Sequence, residues 1–178
     1  MSVWGLLSGS ERIFLFLAIN LTKMISLGID PGTRRIGYGV INNERGVLEL
    51  ITAGILKIES ADDPGALVET KREIDMLIKK YKPSAVAIEK LFFAKNQKTA
   101  LAVAQARGVI LLAASENGIP IQEYTPNEVK MGVTGYGSAD KKAVLKMVRL
   151  ILHKETLKII DDASDALALA ILASGHGD

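Results

Sequence analysis

From residue 24 onward, short apolar runs separated by turn residues give way to longer stretches of helical period. Residues 24–30 (MISLGID) are apolar and predict a buried strand, which Pro31-Gly32-Thr33 turns. Residues 36–42 (IGYGVIN) and 47–58 (VLELITAGILKI) predict two more, the latter with Gly54 as a bulge or kink, so that three strands form a meander of hairpins. Leu67, Thr70, Ile74, Leu77 and Ile78 fall on one face at helical spacing and predict a helix over 65–81, broken by Pro83. Residues 85–89 (AVAIE) read as a fourth strand. Residues 97–117 read as a long helix with Leu101, Ala104, Gly108, Leu111 and Leu112 on one stripe and Gly118 as its C-cap. A fifth strand follows over 119–124, and Pro126 suits the first turn of a short helix over 126–133. Gly132 to Gly137 predict a loop. Ser138 is placed to N-cap a helix that carries Val144, Met147, Val148, Ile151 and Leu152 inward, and an Ala/Leu-rich helix over 161–174 closes the pattern. Three meander strands followed by helix, strand, helix, strand and helices predict an α/β fold: a mixed five-stranded sheet flanked by helices on both faces, the order of an RNase H-like fold.

Residues 1–23 stand apart from this pattern. Their apolar run, Ile13 to Ala18, is too short to span a membrane. It lacks the positively charged leader and small-residue cleavage site of a secretory signal. We expect an extension outside the fold, with Met24 as the natural start and one domain over 24–178; a membrane-tethering helix is the alternative.

Composition narrows the chemistry. Apolar residues make up 48% of the chain, enough for a real core, and there is no cysteine. Thiol nucleophiles, thiolate zinc sites and disulfide scaffolds are excluded, and a reducing, cytoplasmic setting is expected. His153 and His176 are too few to build a zinc site on imidazoles, so any bound metal must take oxygen ligands, which favours Mg²⁺ or Mn²⁺. The net charge of +2 conceals an asymmetry: Lys90 to Lys154 hold ten Lys or Arg against four Asp or Glu. Such a basic segment beside an acidic remainder suggests a face for a polyanion; a solvated surface of mixed charge is the plainer reading.

The acids sit where the apolar segments end. Asp30 closes the first strand and Glu89 the fourth, while Asp161, Asp162 and Asp165 open the last helix. Taken singly, Asp30 before Pro-Gly is an ordinary turn residue, and Asp161 and Asp162 are ordinary helix-start residues. As a set they are more specific. If the first and fourth strands are parallel neighbours, Asp30 and Glu89 meet beyond their carboxyl ends, and a helix start aimed at that crevice adds Asp162 and Asp165. Mutual repulsion would raise the pKa values of four carboxylates in one crevice, and divalent cations relieve it.

These residues also carry a family resemblance. Asp30-Pro31-Gly32-Thr33 with Gly37-Tyr38-Gly39-Val40 resembles the opening of the RuvC family of crossover-junction (Holliday-junction) endodeoxyribonucleases. The segment Ala87-Ile88-Glu89-Lys90-Leu91-Phe92-Phe93-Ala94-Lys95-Asn96 resembles it too, as do Gln105-Ala106-Arg107-Gly108, Gly135-Tyr136-Gly137-Ser138-Ala139-Asp140-Lys141 and Asp162-Ala163-Ser164-Asp165-Ala166. The match runs in order from residue 24 to about 175.

The resemblance implies a Mg²⁺-dependent nuclease, with two ions per subunit and Mn²⁺ as substitute, making symmetric nicks in four-way DNA junctions. Its metal ligands would be Asp30, Glu89, Asp162 and Asp165, with Asp161 a cap or neighbouring support. Lys130 and Lys141 would be catalytic. Phe92 would stack on or wedge between bases, with Phe93 in the core, and Lys95, Lys98, Arg107, Tyr136 and Lys142 would contact DNA. A homodimer, a branch-migration complex of RuvA and RuvB, and no membrane are the implied partners. The small residues Ala100, Ala104 and Gly108 would suit a dimer seam, or equally packing on the sheet. Three rivals stay open: a sugar-kinase or actin-like ATPase, an RNase H-like nuclease acting on structured RNA, and a non-catalytic junction-binding module. The first needs a second phosphate hairpin that the chain lacks.

Overall fold

The computed structural model describes residues 24–90 and 97–175. In chain order it contains β1 (Met24–Asp30), β2 (Arg35–Glu44), β3 (Val47–Lys57), α1 (Asp63–Tyr81), β4 (Ala85–Glu89), α2 (Gln97–Glu116), β5 (Ile121–Tyr124), α3 (Pro126–Thr134), α4 (Lys141–Ile151) and α5 (Asp161–Ala173). The strands form one sheet in the order β3-β2-β1-β4-β5. β1, β2 and β3 pair antiparallel as the expected meander, whereas β1–β4 and β4–β5 are parallel. The mixed α/β sheet expected from the sequence is therefore present.

Period-2 alternation in β1 and β4 assigns the two faces. Leu27, Ile29, Val86 and Ile88 pack with Ile74, Leu77 and Ile78 of α1 and with Ile110, Ala113 and Ala114 of α2. The other face is covered by α5, with α4 and α3 outside it, through a second core around Ile41, Val148, Leu167 and Ile171. Where α5 crosses the sheet, the strands turn small residues toward it. The Ser26 hydroxyl donates to the Ala170 carbonyl at 2.7 Å. A Cβ on Gly28 would lie 2.0 Å from the Ala166 carbonyl oxygen, so only glycine lets the helix come this close.

Several local expectations are corrected. The sheet irregularity lies between Val40 and Ile41, not at Gly54, which instead makes room for the Tyr38 ring. The side chain that caps α4 is Asp140, accepting from the Ala143 amide at 2.7 Å, and not Ser138. α3 extends to Thr134, taking the first residues of the expected 132–137 loop, and Thr125 and Glu128 close a capping box at its start. On α2 the buried stripe is Ala106, Ile110, Ala113 and Ala114, while Leu101 is 70% and Leu112 51% exposed. Gly108 also faces open space. Among the described residues, no helix is long and apolar enough to cross a membrane.

Candidate active site

In β1, Ser26, Gly28 and Asp30 share the phase that faces α5; in β4, Ala85, Ala87 and Glu89 do the same. The last member of each series is a carboxylate. Because the strands are parallel and in register from Ser26↔Ala85 to Ile29↔Ile88, Asp30 and Glu89 emerge side by side one residue further on. The first turn of α5 points at the same edge. Gly37 of β2 allows this, since a Cβ there would stand 2.1 Å from the Asp162 carbonyl oxygen.

Asp30, Glu89 and Asp165 line one cleft of about 340 Å³ with Lys130 of α3 and Lys141 of α4, over a floor of Pro126, Val129, Val144 and Leu169. Burial, reinforced by Asp165, Glu89 and Asp162, pushes Asp30 up to about 7. Burial and then Asp165 push Glu89 up as well, and Lys141 opposes both shifts. Two cations hold the α5 carboxylates. Lys141 Nζ donates to Asp165 at 3.0 Å, which raises its own pKa. Arg35 donates through two nitrogens to Asp162, both at 3.3 Å.

The donor set fits a hard divalent cation: the acids supply only oxygen, and burial first, then neighbouring carboxylates, raises the pKa of two of them, a cost that a bound cation would relieve. No group of three is already gathered to chelate an ion among the described residues. Asp162 and Asp165 are turned instead to Arg35 and Lys141.

Other expected site residues fall variously. Lys130 is half-buried in the cleft wall, and Lys142 is exposed beside Lys141 on α4. Tyr136 is 64% exposed just past α3. Asp161 is exposed and caps nothing, for the N-cap of α5 is Ile160 without a side-chain bond. Arg107 is not brought to the cleft: its guanidinium bonds the Glu89 carbonyl and pairs with Glu123. Lys98 lies in the first turn of α2. Phe92, Phe93 and Lys95 fall outside the described residues. Arg35 was not foreseen as a partner of the site; its place at the start of β2, two residues before Gly37, the register partner of Asp30, was its only signal.

Sheet order, helix layers and the placing of the strand-end acids define an RNase H-like α/β protein. The family model described as "Crossover junction endodeoxyribonuclease RuvC" matches residues 26–173. A relative of that name from Syntrophomonas wolfei is 50% identical over 146 residues, covering 82% of this chain and 85% of its own. Of solved structures, Thermus thermophilus RuvC superposes with a TM-score of 0.76 at 30% identity, covering 87% of this chain and 99% of that one. The same bacterium's RuvC in complex with a Holliday junction substrate gives 0.77 at 31% identity, covering 83% and 91%. The chain belongs to the RuvC family of crossover junction endodeoxyribonucleases.

Proposed function

We propose that the protein is a Holliday-junction resolvase, a divalent-metal-dependent endonuclease acting on four-way DNA junctions in recombination and repair. The observation that carries this reading is the convergence of Asp30, Glu89 and Asp165 with Lys130 and Lys141 on one cleft, with Asp162 on the adjoining turn. The family relationship supports it, as does the junction-bound structure of the Thermus relative.

Asp30, Glu89, Asp162 and Asp165 would hold the metal, Mg²⁺ in the cell with two ions per subunit, and Mn²⁺ as a substitute. When bound, such ions neutralise the phosphodiester and acidify the attacking water. The chain's own groups do the rest. The apolar floor of Pro126, Val129, Val144 and Leu169 limits water around the reacting phosphate. Lys130 bonds a phosphate oxygen. Lys141 shifts from Asp165 to phosphate as that carboxylate turns inward, and there meets charge that grows in the transition state. Lys142, Lys95, Lys98 and Tyr136 extend the DNA contact, and Phe92 meets the bases at the branch.

A near two-fold junction calls for two sites facing opposite strands, which an isologous homodimer provides. The exposed face of α2, with Leu101, Gly108 and Leu112, is the seam we assign to it. A branch-migration complex of RuvA and RuvB is the expected partner, in the cytoplasm.

The test is cleavage of a labelled mobile four-way junction with Mg²⁺ beside linear duplex and an RNA–DNA hybrid, with Asp30→Asn in parallel. Paired symmetric nicks in the junction alone, absent from the variant, support the proposal. Binding without cutting by the wild type, or cutting of RNA alone, overturns it.

A further inference from the structure

Arg107 is the basic residue of the α2 motif that the cleft leaves unused. It is 13% exposed in its side chain, and burial lowers its pKa, as expected of a cation kept from water. Nε donates to the backbone carbonyl of Glu89 at 3.0 Å, eighteen residues back along the chain. A second nitrogen pairs with the Glu123 carboxylate of β5. Glu123 is in register with Ile88, so it stands on the α1/α2 face of the sheet. Arg107 thus approaches the end of β4 from the layer opposite the cleft that the Glu89 carboxylate lines.

The bonding of that strand end shows why a donor is needed there. The amide of Lys90 donates to the Tyr124 carbonyl at 2.8 Å. In a planar trans peptide the C=O points opposite to the following N–H, so the Glu89 carbonyl faces away from β5, toward β1. There β1 has ended at Asp30, and the next residue, Pro31, has no amide hydrogen to offer. The Glu89 carbonyl would be a ladder acceptor without its partner, and a half-buried group of that kind calls for another. Arg107 supplies it, while Glu123 holds the guanidinium in place.

We infer that Arg107 is a positioning residue for strand cleavage: it fixes the backbone of Glu89, and with it the aim of the carboxylate, without touching DNA. The inference rests on the reading of Glu89 as a metal ligand. Guanidinium geometry matters, because one planar fork reaches the β4 carbonyl and the β5 carboxylate together; a lysine ammonium at the same site can replace one contact well but not both. Groups that orient a metal's ligands typically matter by roughly 10–100-fold in metal affinity or activity.

The experiment compares wild type, Arg107→Ala, Arg107→Lys and Glu89→Gln. Mn²⁺ binding is read by electron paramagnetic resonance without DNA, junction affinity in Ca²⁺ across a salt series, and single-turnover junction cleavage against Mg²⁺ concentration. Arg107→Ala should weaken Mn²⁺ binding and raise the Mg²⁺ needed for half-maximal cleavage by roughly 10–100-fold, with junction affinity and its salt slope unchanged. Arg107→Lys, which keeps the buried charge and the fold, should fall between. Wild-type metal dependence in Arg107→Lys and in any folded Arg107→Ala, even with a lowered melting temperature, overturns the inference in favour of a purely structural role. Weaker junction binding with a shallower salt slope overturns it in favour of a phosphate contact. Glu89→Gln separates the two levels: if it is inert while both Arg107 variants match wild type, only the inference about Arg107 fails. If Glu89→Gln binds Mn²⁺ and cleaves like wild type, the reading of Glu89 fails and takes the inference with it.

Discussion

Lys141, the first residue of α4, holds the Asp165 carboxylate of α5 at 3.0 Å across the mouth of the acidic cleft. The lysine side chain is 67% exposed, so the pair adds little to stability, about 0–1 kcal/mol. Lys141→Ala should leave chemical denaturation within that margin. It should lower the single-turnover rate by roughly 10²–10³-fold, the loss usual for one transition-state donor, with junction binding in Ca²⁺ kept. A rate near wild type would mean that Lys141 only neutralises Asp165.

Asp30 makes the metal-free protein sensitive to pH. Its pKa is raised from 3.8 to about 7. Across that window the folded protein keeps a proton that the unfolded chain has released, so stability falls as pH rises, and the full cost is present above about 7. In EDTA, Asp30→Asn should therefore be more stable than wild type at pH 8 and no more stable near pH 4. The gain should be on the order of 1–3 kcal/mol, below the ceiling of ~4 kcal/mol set by about 1.4 kcal/mol per pKa unit. As the proposed metal ligand, Asp30 would have to give up that proton on binding, so wild-type Mn²⁺ affinity should climb through pH 7. Denaturant melts at the two pH values and a Mn²⁺ titration read both effects.

Gly37→Ala tests how α5 is seated. Its new Cβ would stand 2.1 Å from the Asp162 carbonyl oxygen and 2.6 Å from the carbonyl carbon, backbone atoms that cannot rotate aside. The first turn of the helix must move away. We expect a loss of roughly 1–3 kcal/mol in stability, as for other overpacked sites, together with loss of Mn²⁺ binding. A stable variant with normal Mn²⁺ binding would show that the helix start need not be held so tightly.

Gly108→Glu tests the dimer seam. Nothing lies within 4 Å of a Cβ at this position, so the isolated subunit has room for the side chain. A helix-interior glycine also gives up about 0.8–1 kcal/mol of propensity relative to alanine, which glutamate largely restores. The variant should melt no lower as a subunit yet sediment as a monomer, and its two nicks should lose their pairing. A dimer of unchanged affinity would place the interface elsewhere.

The sheet and its acids were legible because strand ends are marked in the sequence. Leu27-Gly28-Ile29 running into Asp30, and Ala85-Val86-Ala87-Ile88 running into Glu89, specify buried strands with a charge at the rim. Helix α2 was legible as a helix but not in its phase. Being apolar on most sides, it has little contrast with which to set its rotation. The small residues Ala106, Ala113 and Ala114 turn inward with Ile110, while Leu101 and Leu112 turn outward. Asp140 and Ser138 are both good caps, and only the backbone path chose between them. Arg107, read as a phosphate contact, shows the same limit: a cation beside a catalytic motif has one meaning in sequence and another once Glu123 and the end of β4 are brought to it.

Gly28, the close seat of α5 and the dispersal of the carboxylates over positions 30, 89, 162 and 165 have a consequence during synthesis. Asp30 leaves the ribosome early and Glu89 midway, but α5 is the last of the site's elements to be translated. Until it docks, one face of the central strand has no cover and the crevice has only half its acids. The four carboxylates can share one crevice only after α5 has been translated and has docked on the sheet.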